Sequence, residues 1–184
     1  MQRRGQIFII TGPSGAGKTT IAQALLKKVS SLKKVITCTT RPPREGEKDG
    51  ADYRFIPRDK FEFLIDRRAF AEQALVYGNY YGSLKEDVEE LLSKWDALFV
   101  VDVQGAVSLA KTYPEAKTIF VKTPTLEVLG ERLRERGKDS EEVIKKRLSE
   151  AKEELKLEKK FNFVIVNDKL ADAVNKTKKL VVQK

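Results

Sequence analysis

The chain has 184 residues, enough for one domain with a hydrophobic core, and its 41% hydrophobic and 34% charged residues are typical of a globular protein. It contains no histidine and one cysteine, which excludes histidine-based catalysis and an intrachain disulfide and argues against a structural zinc site. The formal net charge of +9 favours a polyanionic partner. Acidic residues alternate with basic ones, as in residues 150–160, which is typical of a solvated helix face. A nucleotide substrate is therefore sufficient to explain the excess of positive charge.

The first predicted elements are a strand, a glycine-rich loop and a helix. The apolar, largely β-branched run from residue 7 to residue 10 favours a buried parallel strand, which we expect at residues 7–11. After the loop, apolar residues recur at helical spacing at Ile21, Ala22, Leu25 and Val29. The segment between them matches the phosphate-loop pattern G-x-x-x-x-G-K-[ST]. Loop N–H groups and a helix N-terminus both attract phosphate, so this segment predicts a nucleotide site.

The phosphate-loop pattern predicts individual contacts. Lys18 is expected to contact the β- and γ-phosphates as a positive point charge. The Thr19 hydroxyl is expected to contact Mg²⁺, which prefers oxygen ligands and shares them with nucleotide phosphates. The residues predicted to bind ATP are Gly12, Pro13, Ser14, Gly15, Ala16, Gly17, Lys18, Thr19 and Thr20.

The remaining pattern predicts an α/β fold, with a parallel sheet covered by helices on both faces. Further strands are expected at residues 35–39, 98–103, 118–122 and 163–166. Residues 37–84 interrupt this alternation with a polar, turn-rich stretch and a short helix after Pro57, which predicts a small inserted α+β lobe. Val88, Leu91, Leu92 and Trp95 then recur at helical spacing, so we interpret Trp95 as a core residue.

Residues 126–160 predict two highly charged helices separated by a turn at Gly137. Asp139 and Glu142 have the spacing of a capping box at the start of the second helix. A polar helical pair of this kind is typical of a mobile lid. The predicted division is therefore a core of residues 1–36, 85–125 and 161–184, a lobe of residues 37–84 and a lid of residues 126–160.

Five more motifs follow the phosphate loop in chain order. TCTTRPPREGEKDGADY runs from Thr37 to Tyr53, and EQALVYGNYYGS begins at Glu72 and ends at Ser83. Asp102, Gln104 and Gly105 form the third motif. The fourth is RLRERG at residues 132–137, with Arg147 on the next predicted helix, and the fifth is IVND at residues 165–168. In this order the motifs resemble the guanylate kinase family, and the resemblance covers essentially the whole chain.

The resemblance implies transfer of the γ-phosphoryl group of ATP to GMP or dGMP, with Mg²⁺. It implies that Glu72 accepts hydrogen bonds from guanine N1–H and the 2-amino group, with Thr37, Ser83 and Asp102 completing the base pocket. The residues implied to hold the GMP phosphate are Arg41, Arg44, Tyr53 and Tyr81. Two arginines three residues apart can grip a phosphate through charge-assisted hydrogen bonds. The implied catalytic residues are Lys18, Arg41, Arg132, Arg136 and Arg147.

Two positions depart from the family pattern. Val100 replaces an acidic residue on the strand before Gln104, so Mg²⁺ would rely on Thr19, phosphates and water. Lys169 stands where the family often has a second aspartate. Alternatives to guanylate kinase are a kinase for another phosphorylated small molecule, a module that binds proteins or phosphopeptides, and a nucleic-acid-binding protein suggested by charge alone.

Location and partners follow from what the sequence lacks. No segment approaches the ~20 apolar residues that span a bilayer. The apolar run near the N-terminus is too short for a signal peptide. We therefore expect a cytoplasmic protein with nucleotide substrates and neither a membrane nor a nucleic-acid partner. The sequence leaves its oligomeric state open.

Overall fold

The computed structural model describes residues 4–76, 78–137 and 139–183. Among them, none of the helices combines the length and the apolarity that crossing a membrane requires. The first half of the chain forms β1 (Ile7–Thr11), α1 (Lys18–Lys28), β2 (Leu32–Lys34), β3 (Cys38–Thr39), β4 (Arg54–Phe55), α2 (Arg58–Asp66), β5 (Phe70–Val76), β6 (Asn79–Leu84) and α3 (Lys85–Leu92). The second half forms β7 (Asp96–Val100), α4 (Val103–Thr112), β8 (Lys117–Lys122), α5 (Leu126–Glu135), α6 (Glu141–Leu155), a short 3₁₀ turn, β9 (Phe163–Val166) and α7 (Leu170–Val182).

The main sheet is parallel and has helices on both faces, as predicted. Its strand order is β2-β7-β1-β8-β9. Ile7, Ile9 and Phe99 face α3 and α4, whereas Phe8, Ile10 and Leu98 face α1 and α7. This division explains why β1 is apolar from Ile7 to Ile10: both faces of the strand are buried. The carboxyl ends of its parallel strands meet at one edge, where ligands of such sheets bind.

A second, smaller sheet interrupts the α/β alternation. Its strand order is β4-β3-β6-β5, with α2 packed against it through Phe61. The Phe61 ring stacks on that of Phe70 with centroids 4.3 Å apart. Cys38 lies in this small core, where burial raises the pKa of its thiol to about 11. The α2 helix after Pro57 and the inserted position of this sheet agree with the sequence expectation.

Two predicted strands have different boundaries in the structure. The run at residues 35–39 is not one strand, because β2 ends at Lys34 in the main sheet and β3 begins at Cys38 in the small one. The predicted strand at 98–103 ends at Val100 instead. The Asp102 carboxylate accepts a hydrogen bond from the Gly105 N–H and so begins α4, which makes Val103 helical.

The predictions for Trp95 and Asp139 were wrong. Trp95 lies beyond the end of α3 and is 43% exposed, with the Lys33 Nζ 4.8 Å from its ring centroid. Ser140 rather than Asp139 caps α6, because its hydroxyl accepts the hydrogen bond from the Val143 N–H. Asp139 instead forms an ion pair with Arg147 at 3.1 Å.

The α5–α6 pair has a small core of its own. Leu129 and Leu133 on α5 pack against Ile144 and Ala151 on α6. A Cβ on Gly15, in the loop after β1, would lie 3.0 Å from Leu129 Cδ1 and 3.0 Å from Leu133 Cδ2, so α5 packs apolar side chains directly against that loop. The two helices therefore form a unit with its own core, joined to the loop by this apolar contact and by the polar contacts described below.

Candidate active site

The loop of residues 12–17 connects β1 to α1 and is pressed against the neighbouring strand ends. Gly12 and Gly17 both have positive φ angles, at 131° and 98°. A Cβ on Gly12 would lie 2.0 Å from the Val121 carbonyl oxygen, and one on Gly17 would lie 2.2 Å from Asn167 Nδ2. Asn167 Nδ2 donates to the Ala16 carbonyl at 2.8 Å. Residues at opposite ends of the chain thus determine the shape of this loop.

We expect Gly17→Ala to lower the free energy of unfolding by about 2–4 kcal/mol, because a left-handed backbone strain and a clash with Asn167 add together. Gly78→Ala is the control, since Gly78 also has a positive φ of 77° but nothing lies within 4 Å of its added Cβ. That variant should lose only about 1–2 kcal/mol. Urea unfolding measures both values, and equal losses would show that the Asn167 contact is unimportant.

Lys18 begins α1 and folds back over the loop. Its Nζ donates to the carbonyl oxygens of Gly12 at 2.5 Å and Pro13 at 2.9 Å. Burial lowers the pKa of Lys18 to about 8, although the carboxylates of Glu154 and Asp102 act in the opposite direction. Thr19, next in the first turn, is exposed and lines the same cavity. A cation held over a loop of inward-facing amides is suited to an anionic ligand.

Glu72 on β5 is a buried carboxylate that lines the same cavity, with only 4% of its surface exposed. The Ser83 hydroxyl donates to Glu72 Oε1 at 2.8 Å, and Thr37 Oγ1 lies 3.5 Å from Ser83 Oγ. A Cβ on Gly105 would lie 3.2 Å from Glu72 Oε2, so a glycine near the start of α4 leaves room for the carboxylate. Burial raises the pKa of Glu72 to about 7, and the Asp102 charge adds to the shift.

The predicted phosphate-binding residues lie in the β3–β4 connection and on β6, and only some of them line the cavity. Arg44, Tyr53 and Tyr81 line it, and the two tyrosine rings lie with centroids 6.0 Å apart. Arg41 lies outside the lining, because its Nη2 donates to both carboxylate oxygens of Glu47, at 2.8 and 2.9 Å. The Arg41 guanidinium packs 5.5 Å from the Tyr53 ring centroid, next to the cavity wall.

The α5–α6 pair brings two of its predicted arginines to the cavity. Arg147 on α6 donates to the Ser14 hydroxyl of the loop at 3.3 Å, and Arg136 at the end of α5 lines the cavity. Arg132 is turned away from the cavity lining and donates to the Asp168 carbonyl at 3.2 Å. Arg134 pairs with Glu141 at the surface, as its solvated position suggests. The Arg147 contact spans 133 residues of chain and connects α6 directly to the loop.

One cavity of about 930 Å³ joins these groups at the carboxyl ends of the main strands. The predicted site residues that line it are Gly12, Ser14, Lys18, Thr19, Thr37, Arg44, Tyr53, Glu72, Tyr81, Asp102, Arg136 and Arg147. The predicted site residues outside the lining are Pro13, Gly15, Ala16, Gly17, Thr20, Arg41, Ser83 and Arg132. Of these, Ser83 acts on the cavity through Glu72, and Gly17 through the shape of the loop.

Sequence reasoning missed three groups at this site. The acidic residues Glu150, Glu153 and Glu154 of α6 line the cavity, and burial raises the pKa of Glu154. Glu150 and Glu154 follow Arg147 by three and seven residues, a spacing that places all three near one helix face. This spacing could have indicated from the sequence that the two glutamates lie beside Arg147. Asn167 and Glu47 lie in recognised motifs, but their contacts with Ala16 and Arg41 depend on the folded structure.

Val100, which replaces an acidic residue of the family pattern, also lines the cavity. Its side chain is half-buried and supplies no oxygen ligand. Within residues 4–76, 78–137 and 139–183, no group of three or more acidic, cysteine or histidine side chains could hold a metal ion. The exposed Thr19 hydroxyl fits a Mg²⁺ ion that is otherwise held by phosphate oxygens and water, the mode that this ion prefers with nucleotides.

Comparison with known proteins identifies the family of this chain. The family model for guanylate kinase matches residues 4–184. A guanylate kinase of Neisseria meningitidis serogroup A is 47% identical over 172 residues, which cover 93% of this chain and 84% of the relative. One from Caldanaerobacter subterraneus subsp. tengcongensis is 42% identical over 99% of this chain and 89% of its own length. The crystal structure of guanylate kinase from Anaplasma phagocytophilum superposes with a TM-score of 0.81 at 29% identity, over 98% of this chain and 86% of that one. The chain belongs to the guanylate kinase family.

Proposed function

We propose that this chain transfers the γ-phosphoryl group of ATP to GMP or dGMP, giving ADP and GDP or dGDP. It is a nucleoside monophosphate kinase of the guanylate kinase family. The observation that carries the proposal is that residues of the phosphate loop and the buried carboxylate of Glu72 line one shared cavity. A donor phosphate on the loop and an acceptor whose base contacts Glu72 would share this space.

On the donor side, the loop amides, the N-terminus of α1 and Lys18 bind the phosphates of ATP. Mg²⁺, held by Thr19 together with phosphate oxygens and water, supplies charge neutralisation when it is bound. The Lys18 ammonium would then leave its two loop carbonyls for phosphate oxygens, which are better partners because they are anionic. A bound phosphate also favours the charged form of this lysine.

On the acceptor side, Glu72 accepts hydrogen bonds from guanine N1–H and the 2-amino group, with Ser83 holding the carboxylate. Adenine lacks both donors at these positions, so a buried Glu72 would be left unpaired, and such mismatches are strongly rejected. Thr37 and Asp102 complete the base pocket, while Arg41, Arg44, Tyr53 and Tyr81 hold the phosphate. Because the acceptor phosphate is already anionic, the reaction requires no strong general base.

Between the two sides, Arg136 and Arg147 neutralise charge on the phosphoryl group in flight. We assign Arg132 a supporting role on the ATP side, since its guanidinium contacts the backbone of the β9–α7 turn. The contact of Arg147 with Ser14 is suited to a lid that closes over the loop and excludes water. The division into a core (1–36, 85–125, 161–184), a GMP-binding lobe (37–84) and a lid (126–160) is part of this proposal.

The test is a coupled ADP-release assay with ATP, Mg²⁺ and each nucleoside monophosphate in turn. We expect turnover with GMP and dGMP and little with AMP, CMP or UMP. Inosine monophosphate, which keeps N1–H but lacks the 2-amino group, should be intermediate. Activity with none of these by folded, ATP-binding protein would contradict the proposal and favour another phosphorylated acceptor or a binding module.

A further inference from the structure

Glu47 has no assigned role in the proposed function, yet its carboxylate accepts three hydrogen bonds from the two arginines proposed to hold the acceptor phosphate. Arg41 Nη2 donates to its two oxygens at 2.8 and 2.9 Å. The backbone N–H of Arg44 donates to Glu47 Oε2 at 2.7 Å, and the Glu47 N–H donates to the Arg44 carbonyl at 3.0 Å. One side chain therefore holds the guanidinium of the first arginine and the backbone of the second.

The pair is sheltered from solvent, unlike most surface ion pairs. The side chains of Arg41 and Glu47 are 11% and 20% exposed. Burial alone would raise the pKa of Glu47, but the hydrogen bonds from Arg44 and Arg41 outweigh it and hold that pKa below its usual value. Glu47 is thus ionised at neutral pH, and its bonds to the two arginines are charge-assisted.

Other hydrogen bonds hold the two ends of the segment that carries both arginines: the Arg41 N–H donates to Thr39 Oγ1 at 3.2 Å, and the Lys48 N–H donates to Asp52 Oδ2 at 2.9 Å. Residues 40–53, between β3 and β4, form turns rather than regular structure, and Gly46 within it has a φ of 82°. Arg41 donates through its other terminal nitrogen to the Pro42 carbonyl at 2.6 Å, which bends the chain back over its own side chain. Without an anchor, two long arginine side chains in such a loop would lose considerable conformational entropy when they bind an anion.

We propose that Glu47 is a positioning residue for the acceptor phosphate, acting by holding Arg41 and the Arg44 backbone in place before the substrate binds. This inference rests on the proposed function, because it requires the two arginines to contact the GMP phosphate. Glu47 itself lies outside the cavity lining and need not touch the substrate. The opposite possibility is that Glu47 competes with the substrate phosphate for Arg41, and the two predict opposite changes in KM.

The test compares Glu47→Gln with Glu45→Gln, a control that removes the same charge from an exposed position in the same loop. Glutamine keeps the shape of Glu47 but presents an N–H₂ group, which repels the arginine donors. We expect the KM for GMP to rise about tenfold in Glu47→Gln, which corresponds to about 1.4 kcal/mol, with kcat and the KM for ATP near the wild-type values. Glu45→Gln should resemble the wild type.

Inhibition by guanosine, which lacks the phosphate, separates positioning from damage to the lobe. Its inhibition constant should be unchanged in Glu47→Gln, because the guanine pocket at Glu72 is intact. Glu47→Asp keeps the negative charge on a shorter side chain and should have a KM for GMP between those of the wild type and Glu47→Gln. It replaces Glu47→Gln as the test variant if that protein does not fold. A KM for GMP that stays constant or falls, or a guanosine constant that weakens in parallel, would overturn the inference. A wild type that binds GMP no better than guanosine would instead contradict the proposed phosphate site.

Discussion

Replacing Lys18 by alanine is expected to lower kcat by about 10³-fold or more while the protein remains folded. Lys18 supplies the side-chain cation of the phosphate loop, and removal of one preorganised donor from a site of developing charge typically costs 10²–10³ in rate. Because the ammonium group carries a full positive charge, we expect the loss in rate for this variant to lie at the upper end of that range. The measurement is steady-state and single-turnover kinetics with GMP, and wild-type-like turnover would contradict the assignment of Lys18.

The thermal stability of Lys18→Ala is the control for loss of folding. The lowered pKa of Lys18 predicts whether the substitution raises or lowers that stability. In the unfolded chain the lysine has its ordinary pKa of 10.5, whereas burial lowers the folded value to about 8. The folded state therefore disfavours the charged lysine, which lowers the free energy of unfolding. This loss of stability is fully present below pH 8 and disappears as the pH rises to about 10.5. We expect the Tm of Lys18→Ala to equal or exceed that of the wild type at pH 7. The advantage should shrink at pH 10.

Lys18→Arg tests whether charge alone is sufficient. The guanidinium keeps the charge but is planar and larger than an ammonium. The Lys18 Nζ occupies a position between two carbonyl oxygens of a tight loop, and that loop is bounded by Val121 and Asn167. We expect Lys18→Arg to remain well below wild-type activity. Full activity would show that the loop needs a positive charge but not this geometry.

Replacing Glu72 by glutamine is expected to lower kcat/KM for GMP by about 10²–10³-fold and to reduce discrimination against AMP. Glutamine offers one acceptor and one donor where the guanine edge presents two donors, so one N–H group faces another. Sites that hydrogen-bond a substrate group reject analogues lacking it by large factors, and this substitution removes the basis of that rejection. The measurement is the ratio of kcat/KM for GMP to that for AMP, and an unchanged ratio would remove Glu72 from the base pocket.

The raised pKa of Glu72 adds a pH dependence to this prediction. Only the ionised carboxylate can accept from both guanine donors, and burial shifts its ionisation in the free protein to about pH 7. Guanosine should therefore bind more tightly as the pH rises from 6 to 8, and guanosine avoids the titration of the GMP phosphate. In Glu72→Gln this rise should be absent. A flat profile in the wild type would contradict the coupling of guanosine binding to ionisation of Glu72 near pH 7.

The same shift has a consequence for stability, with the opposite sign. A carboxyl with a raised folded pKa favours the folded state when it is protonated, so this contribution is present below about pH 4.5 and is lost as the pH rises through 7. Glu72→Gln should consequently be at least as stable as the wild type at pH 8. Together with reduced activity, this would mark Glu72 as a residue retained for function rather than for folding.

The phosphate loop and the parallel sheet could be predicted from the sequence because their signals are local. Strand β1, the loop and α1 follow one another directly, and the apolar run, the glycines and the helical spacing lie within about two dozen residues. The predicted strand at residues 35–39 failed because periodicity does not show which sheet a residue joins. Lys34 and Cys38 lie in different sheets, and only the pairing of their neighbours separates them.

Other details depended on contacts between distant parts of the chain. Trp95 fits the apolar spacing of α3, but the helix ends before it, so its ring lies at the surface beside Lys33. Arg132 and Arg136 share a helix face by spacing, yet only Arg136 lines the cavity, since Arg132 contacts the turn after β9. Arg41 could be recognised as a phosphate-binding candidate, but its bonds to Glu47 could not.

By itself, the sequence determined which candidate groups this protein carries: the glycine-rich loop with Lys18, the carboxylate at Glu72, the arginines and their order along the chain. Residue types and short spacings carry that information, because they state which groups are present and which elements bear them. The tertiary structure alone decided how those groups meet. Asn167 contacts Ala16 across 151 residues and Arg147 contacts Ser14 across 133. Such contacts follow from packing of the whole chain, and no local pattern encodes them.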